Sequence, residues 1–433
     1  MNLVLRFSCR VRTLALACCV GAGLWLLPTL AAQAAEPQWA ASWAAAPQDY
    51  AQLPVSPGAA PPSPQALAAN GAQTLRERLY PTLGGHQVRI RFSNVFGKVP
   101  LHIAGASVAR GTGGAAVSPA MLRRLRFDGR DDVTIAPGAQ AWSDAARFDL
   151  APGQAVAVSF RIDRPTPFAT VHHLPPGASW SVPGDAVLRA SWRDATPSPW
   201  NHVVTGLDVA ARTAPRVIVA FGDSITEGVG VDDAQGQLSR YPDQLATRLR
   251  DRPGAPFAVI NAGLAGNRLL ADIAGPRGVD RFERDVLAQS GVTHVLILLG
   301  INDILMSPPA GLPESAMPLA PGPDAAQITA GLAQLIRQAH AKGVKVLLGT
   351  LLPYKGTPTP FWSEDKEARR QAVNDWIRGR RDVDAVIDFD AVLRNPADPA
   401  ALNPRYDSGD HLHPGRAGYA AMAAAVDPRE LQE

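Results

Sequence analysis

Five unbroken apolar runs in the second half of the chain set the tightest limit on its fold. They span residues 217–221, 257–261, 294–299, 344–350 and 385–389. Apolar runs without polar alternation fit strands covered on both faces, as in a parallel sheet. Helical stretches lie between them. In 325–341, residues Ile328, Leu332, Leu335, Ile336 and Ala339 fall on one helical face, and Gly343 follows as a stop. Segments 364–380 and 417–426 read as two further helices. Strand and helix in alternation predict a doubly wound α/β sheet, a three-layer α/β/α arrangement.

The first half reads differently. Between about 73 and 205 the apolar residues alternate with period two in short runs, such as 87–92 and 155–160. Turn signals separate the runs: Leu83-Gly84-Gly85, Ala136-Pro137-Gly138 and Ala151-Pro152-Gly153. This predicts a β-sandwich or jelly-roll-like domain over 36–210. It would open with an ordered strand near 39–46 and a flexible Pro-rich loop over 54–64. Thr213-Ala214-Pro215 reads as the linker to an α/β domain over 211–433.

The N-terminus carries Arg6, Arg10 and Arg12, then an apolar stretch over 14–30, then Ala31-Ala32-Gln33-Ala34-Ala35. That order is a signal peptide, expected to be removed within 1–35. It predicts a secreted or periplasmic protein with no stable membrane insertion after cleavage. A retained anchor is the plain alternative. All three cysteines (Cys9, Cys18, Cys19) fall in the leader, so no disulfide or thiol nucleophile is expected in the mature chain. The 42 basic residues lose three arginines with the leader, which leaves 39 against 39 acidic. A chain so balanced lacks the electrostatic footprint of a nucleic-acid binder. Nothing in the sequence speaks to oligomeric state.

Four short motifs follow strand ends. Gly222-Asp223-Ser224 comes directly after the first parallel strand. Ligands of open α/β sheets bind at the carboxyl ends of strands, so Ser224 stands where chemistry is expected. Taken alone, it reads first as a helix-capping serine. Asn261 to Asn267 follows the second strand, with glycines at 263 and 266 that permit close backbone approach. Gly300-Ile301-Asn302-Asp303 follows the third, where a side-chain amide can donate to an oxyanion. Asp410-His411-Leu412-His413 lies beyond the fifth strand. There His413 can serve as general base to Ser224, with Asp410 fixing its tautomer. The competing reading of this last motif is a zinc site built on the two histidines and Asp410.

As a set, these motifs resemble the four blocks of the SGNH, or GDSL, esterases and lipases. The blocks are matched by Gly222-Asp223-Ser224, by Gly266 within Asn261 to Asn267, by Gly300-x-Asn302-Asp303, and by Asp410-x-x-His413. The resemblance covers about residues 215–428. It implies a flavodoxin-like sheet of five parallel strands and a Ser224–His413–Asp410 catalytic triad. It also implies an oxyanion hole made by the Ser224 and Gly266 backbone N–H groups and the Asn302 side chain. No metal and no cofactor is implied. Gly266 is taken over Gly263 because the family glycine stands some five residues after the strand-terminal Asn. The stretch around Trp43 (Ala41 to Pro47) is similar to the start of the β-rich domain of secreted bacterial members.

The resemblance implies a carboxylic ester hydrolase with a small-molecule or polysaccharide ester as substrate. The layout points to an extracellular acylated, in particular acetylated, carbohydrate. Alternatives are a lipase or lysophospholipase-type acyl hydrolase, an acyltransferase to a sugar acceptor, and a carbohydrate-binding surface protein with secondary esterase activity. His172-His173 reads as a surface pair, or as a contribution of the β-rich domain to the cleft rim. Trp180, Trp192 and Trp200 read as packing residues, with sugar stacking as the alternative. Arg268 reads as a surface ion pair or a substrate contact.

Overall fold

The computed structural model describes residues 38–53, 65–173, 179–231, 238–272, 274–308, 322–358 and 360–432. The predicted leader and the loop over 54–64 lie outside them. Residues 37–433 form one compact unit. Among the described residues, no helix is long and apolar enough to cross a membrane.

Two antiparallel sheets dominate the first half. One is ordered Gln38–Ala44, Val204–Ala211, Gly85–Ser93, Gln140–Trp142. The other is ordered Thr196–Ser198, Ser179–Pro183, Gln73–Leu79, Val156–Ile162, Ala106–Gly113, Ala116–Val117. The alternation has a direct physical outcome. Val88, Ile90 and Phe92 are buried on one face of their strand, and Phe92 meets Phe127 and Phe160 edge-on at 5.7 Å. Arg89 and Arg91 point to the other face, which is covered rather than solvated. Arg89 binds Asp208 and Ser290, while Arg91 reaches the Thr205 carbonyl and Gln289. Ser290 and Gln289 of the α/β half thus lie over the polar face of this strand.

In the second half, five parallel strands form one sheet: β1 (Arg216–Gly222), β2 (Phe257–Gly263), β3 (Val292–Leu298), β4 (Lys345–Gly349) and β5 (Ala385–Ile387). Their order is β2-β1-β3-β4-β5, with every pairing parallel. The helices that frame the site are α1 (Ser224–Glu227), α2 (Tyr241–Leu249), α3 (Gly278–Phe282), α4 (Ile301–Leu305), α5 (Ala325–Ala341), α6 (Glu364–Arg378), α7 (Phe389–Leu393) and α8 (Arg416–Ala425). Helix α5 begins with a capping box between Asp324 and Gln327, which satisfies first-turn N–H groups otherwise left open.

Strand β2 is a sheet edge, and the first half covers it. Thr82 Oγ1 donates to the Val259 carbonyl at 3.0 Å and accepts from the Val259 N–H at 3.0 Å. One hydroxyl therefore satisfies both backbone groups of an edge residue that would otherwise invite another strand. The Ala41 N–H donates to the Ser290 carbonyl at 2.9 Å, a second tie between the halves. The chain leaves β1 for β2 on one side and then crosses to β3 on the other. That reversal opens a crevice at the carboxyl end of β1, where ligands of such sheets bind.

Candidate active site

Ser224 opens the single helical turn that follows β1. Gly222 is required just before it: a β-carbon there would lie 2.1 Å from Thr226 Oγ1 and 2.4 Å from the Leu298 carbonyl. The cap of the turn is Asp223, whose carboxylate accepts from the Ile225 N–H at 3.1 Å. Capping is therefore done by the neighbour, and the Ser224 hydroxyl is free for another partner. Its partner is His413, with Nε2 2.8 Å from Oγ. His413 Nδ1 lies 2.5 Å from Asp410 Oδ2.

Asp410 is well held despite its partial exposure. Its Oδ1 accepts from the backbone N–H groups of Leu412 (3.0 Å) and His413 (2.8 Å), and from Ser408 Oγ (3.1 Å). Partial burial pushes its pKa up, but the His413 side chain and these two N–H donors outweigh it. The net effect holds the carboxyl well below the usual carboxylate range. The group stays ionised through the neutral range and fixes the proton of His413 on Nδ1, leaving Nε2 to accept from the serine.

His411 takes a separate partner, Asp407, at 2.7 Å from Nδ1 to Oδ2. The two histidines are thus engaged with different aspartates. Among the described residues, no cluster of His, Cys, Asp or Glu could hold a metal ion.

Gly266 and Asn302 share a cleft with this trio. The cleft has a volume of about 410 Å³, and Ser224, Gly266, Asn302, Asp410 and His413 line it together with Val229, Leu305, Met306, Pro358, Phe361 and Leu412. Gly266 has φ +73°, in the left-handed region that favours glycine. Gly263 is occluded instead, since a β-carbon there would fall 2.2 Å from the Glu227 nitrogen. Asn302 is buried, and its Nδ2 donates to the Asn267 carbonyl at 3.0 Å, which ties the third motif to the second. An amide held this way keeps a second N–H for a ligand.

Asp303 stiffens the same loop by accepting from the N–H groups of Leu269 (2.7 Å) and Leu270 (3.0 Å). Burial raises its pKa. Arg268 is neither on the surface nor in the cleft. It is buried, with Nε 3.7 Å from Asp303.

Other expectations fare differently. Trp192 is buried beneath the Arg76 guanidinium at 4.0 Å, and Trp200 packs edge-on to Tyr50 at 5.5 Å. Trp180 lies under Arg78 at 4.8 Å. None of the three lines the cleft. His172 is buried in the strand Thr170–His173 rather than displayed at a rim, and the His173 side chain is outside the described residues.

One supporting residue carried no legible signal. Arg281 on α3 is fully buried and donates to the carbonyls of Gly222 (2.7 Å) and Ala262 (2.9 Å), to Asn267 Oδ1 (2.8 Å) and to Asp285 (3.1 Å). It therefore pins the ends of β1 and β2 and the second motif at once. Desolvation lowers its pKa to about 10, with Asp285 opposing the shift. In the sequence it sits in a charged run, Asp280 to Asp285, which looks like a solvated helix face.

Residues 220–421 match the model of the GDSL-like Lipase/Acylhydrolase family. Esterase TesA of Pseudomonas aeruginosa is 31% identical over 143 residues, which cover 33% of this chain and 58% of TesA. The match thus spans less than two thirds of that relative. Among solved structures, the native aryl esterase of M. smegmatis is 20% identical, covering 48% of this chain and 95% of its own, with a TM-score of 0.37. The lipase/acylhydrolase of Enterococcus faecalis is 22% identical over 48% and 92%, at 0.37. A GDSL-like lipase of Bacteroides thetaiotaomicron is 21% identical over 51% and 92%, at 0.36. The serine, histidine and aspartate joined at one sheet edge all lie inside the segment, residues 220–421, that matches the GDSL-like Lipase/Acylhydrolase family.

Proposed function

We propose that this protein is a serine carboxylic ester hydrolase. The observation that carries the reading is the hydrogen-bonded series Ser224 Oγ, His413 Nε2, His413 Nδ1 and Asp410 Oδ2 at the mouth of one cleft. In the proposed reaction Ser224 Oγ attacks the ester carbonyl carbon while His413 Nε2 takes its proton. The oxyanion is received by the Ser224 and Gly266 backbone N–H groups and by Asn302 Nδ2. His413 returns the proton to the leaving alkoxide as the tetrahedral intermediate collapses to an acyl-enzyme. Water, deprotonated by the same imidazole, then releases the acid. Each oxyanion donor contributes about 3–4 kcal/mol to lowering the barrier.

The cleft lining bears on the substrate. Val229, Leu305, Met306, Pro358, Phe361 and Leu412 supply a mostly apolar wall. A wall of this kind favours an acyl chain of several carbons, because burying each methylene contributes about 0.8 kcal/mol. The acyl-hydrolase reading therefore gains over the acetylated-carbohydrate reading, which a polar, aromatic-lined groove would have supported. The proposal keeps a three-layer flavodoxin-like hydrolase domain over 211–433, a sandwich-like β-rich domain over 36–210, and export by the leader 1–35. Peptide mass mapping of the exported protein checks the leader.

The test of the activity is Ser224→Ala against p-nitrophenyl esters from acetate to palmitate, with acetylated xylan alongside. Loss of turnover on every ester supports the reading. Turnover by Ser224→Ala near the wild-type rate would end it.

A further inference from the structure

The loop that carries Gly266 is gripped from behind by residues of the β-rich half. His172 is buried, with Nδ1 2.9 Å from the Ala46 carbonyl and Nε2 3.2 Å from Glu227 Oε1. A carbonyl can only accept, so Nδ1 carries a proton. Nε2 faces the Glu227 carboxylate as a close polar contact. Glu227 closes the turn that Ser224 opens. Its second oxygen, Oε2, accepts the backbone N–H of Ala265, the residue before Gly266.

A separate contact acts on the far side of the same loop. Gln48 Nε2 donates to the Ala274 carbonyl at 2.7 Å. Ala274 has φ +57°, a strained setting for a residue with a β-carbon. Its Cβ would lie 3.3 Å from a β-carbon placed on Gly266, so Ala274 forms a close stop beneath that glycine.

A buried ionisable pair such as His172–Glu227 contributes little net stability, because desolvation offsets its attraction. What such a pair fixes well is geometry. Here the geometry it fixes is the spacing between the Ser224 turn and the Ala265–Gly266 backbone.

We propose that His172 and Gln48 are positioning residues that set the Gly266 N–H relative to Ser224, making the β-rich half a working part of the oxyanion site. This rests on the esterase reading above. Neither residue lines the cleft, so neither touches substrate. Both act through the loop. Removing an oxyanion donor outright costs 10²–10³ in kcat. Shifting one by a fraction of an ångström forfeits part of that, so about a tenfold loss is expected.

The experiment uses the full mature chain with His172→Leu, His172→Gln, Gln48→Leu and Ser224→Ala. Hydrolysis of p-nitrophenyl butyrate gives kcat and KM. Inhibition by butylboronic acid, which forms a tetrahedral adduct on a serine, reads the oxyanion geometry separately. Circular dichroism checks folding. His172→Leu should lower kcat about tenfold, leave KM within about twofold, and weaken boronate binding in step with kcat. His172→Gln, which keeps a polar group facing Glu227, should recover most of the loss. Gln48→Leu should shift kcat and boronate binding in the same direction, and it decides alone if His172→Leu does not fold. Folded His172→Leu and Gln48→Leu proteins with kcat and boronate affinity within twofold of wild type would overturn the proposal. Equal losses in both His172 variants with boronate binding unchanged would also overturn it, by showing a merely structural role. Ser224→Ala separates the two levels. If it still hydrolyses ester, the esterase reading fails. If it is inactive while the His172 and Gln48 variants behave as wild type, only the positioning role fails.

Discussion

Asp410→Asn probes the electrostatic half of the site with little change in shape. In the wild type, Asp410 Oδ1 accepts two backbone N–H groups and Ser408 Oγ, and Oδ2 accepts from His413 Nδ1. An asparagine can keep Oδ1 on the backbone donors. Its Nδ2 then faces His413 Nδ1 with protons of its own. The imidazole must turn its lone pair to Nδ1 and carry its proton on Nε2, where it can no longer accept from Ser224. In a buried triad this wrong tautomer costs about 10⁴ in kcat. Here the Asp410 side chain is 47% exposed, so water can compete for Nδ1 and relieve part of the conflict. A loss of about 10²–10³ in kcat follows, equivalent to about 3–4 kcal/mol of barrier. KM should stay within about threefold, because substrate contacts are unchanged. Steady-state kinetics on p-nitrophenyl butyrate with a thermal melt on the same samples gives the answer. If a normally folded Asp410→Asn enzyme kept a third or more of wild-type kcat, the tautomer argument would be wrong.

Other expectations follow from the same structure. Arg281→Met removes a donor from the carbonyls of Gly222 and Ala262 and leaves Asp285 to Arg284, so thermal or urea unfolding should show a loss of about 3–5 kcal/mol. Lys366, buried on α6, donates to the carbonyls of Leu305 (2.8 Å), Pro360 (2.8 Å) and Phe361 (3.2 Å), joining two walls of the cleft. Lys366→Met should therefore raise KM for octanoate esters several-fold more than for acetate, measured across a chain-length series. Burial raises the Asp223 pKa to about 7, against a partial offset from the Ile225 N–H and His413. Between the unfolded value near 4 and about 7 the native state keeps a proton that the unfolded chain has lost. Stability attributable to this group thus falls as pH rises through that window, by about 1.4 kcal/mol per unit. Asp223→Asn should reduce that slope in urea titrations at pH 5, 6 and 7. An unchanged slope would remove Asp223 as its source.

The parts of the fold set by burial pattern were the legible ones. Continuous apolar runs located all five parallel strands to within about two residues, because a strand covered on both faces leaves no polar positions to confuse the period. The alternation over 87–92 gave the strand but not the surroundings of Arg89 and Arg91, because their covering partners Ser290 and Gln289 come from the α/β half and sequence periodicity cannot reveal them. At the site, Ser224, Gly266, Asn302, Asp410 and His413 stood out because each sits in a short motif just after a strand. His172 stood out only as one of a histidine pair read as surface or rim, and Gln48, Arg281 and Lys366 did not stand out at all. They lie in unremarkable strands, loops and helices, and their importance arises from burial against residues far away in the chain. Charged side chains that read as solvated are the ones most easily missed, since a buried arginine has no local signature.

The central claim is that Ser224 is the nucleophile, activated by His413. Labelling with an alkyl fluorophosphonate followed by peptide mass mapping tests it most directly. The account predicts one stoichiometric adduct, on Ser224, formed at least about 100-fold more slowly in His413→Ala. An adduct on another residue, or full-rate labelling of Ser224 without His413, would contradict it.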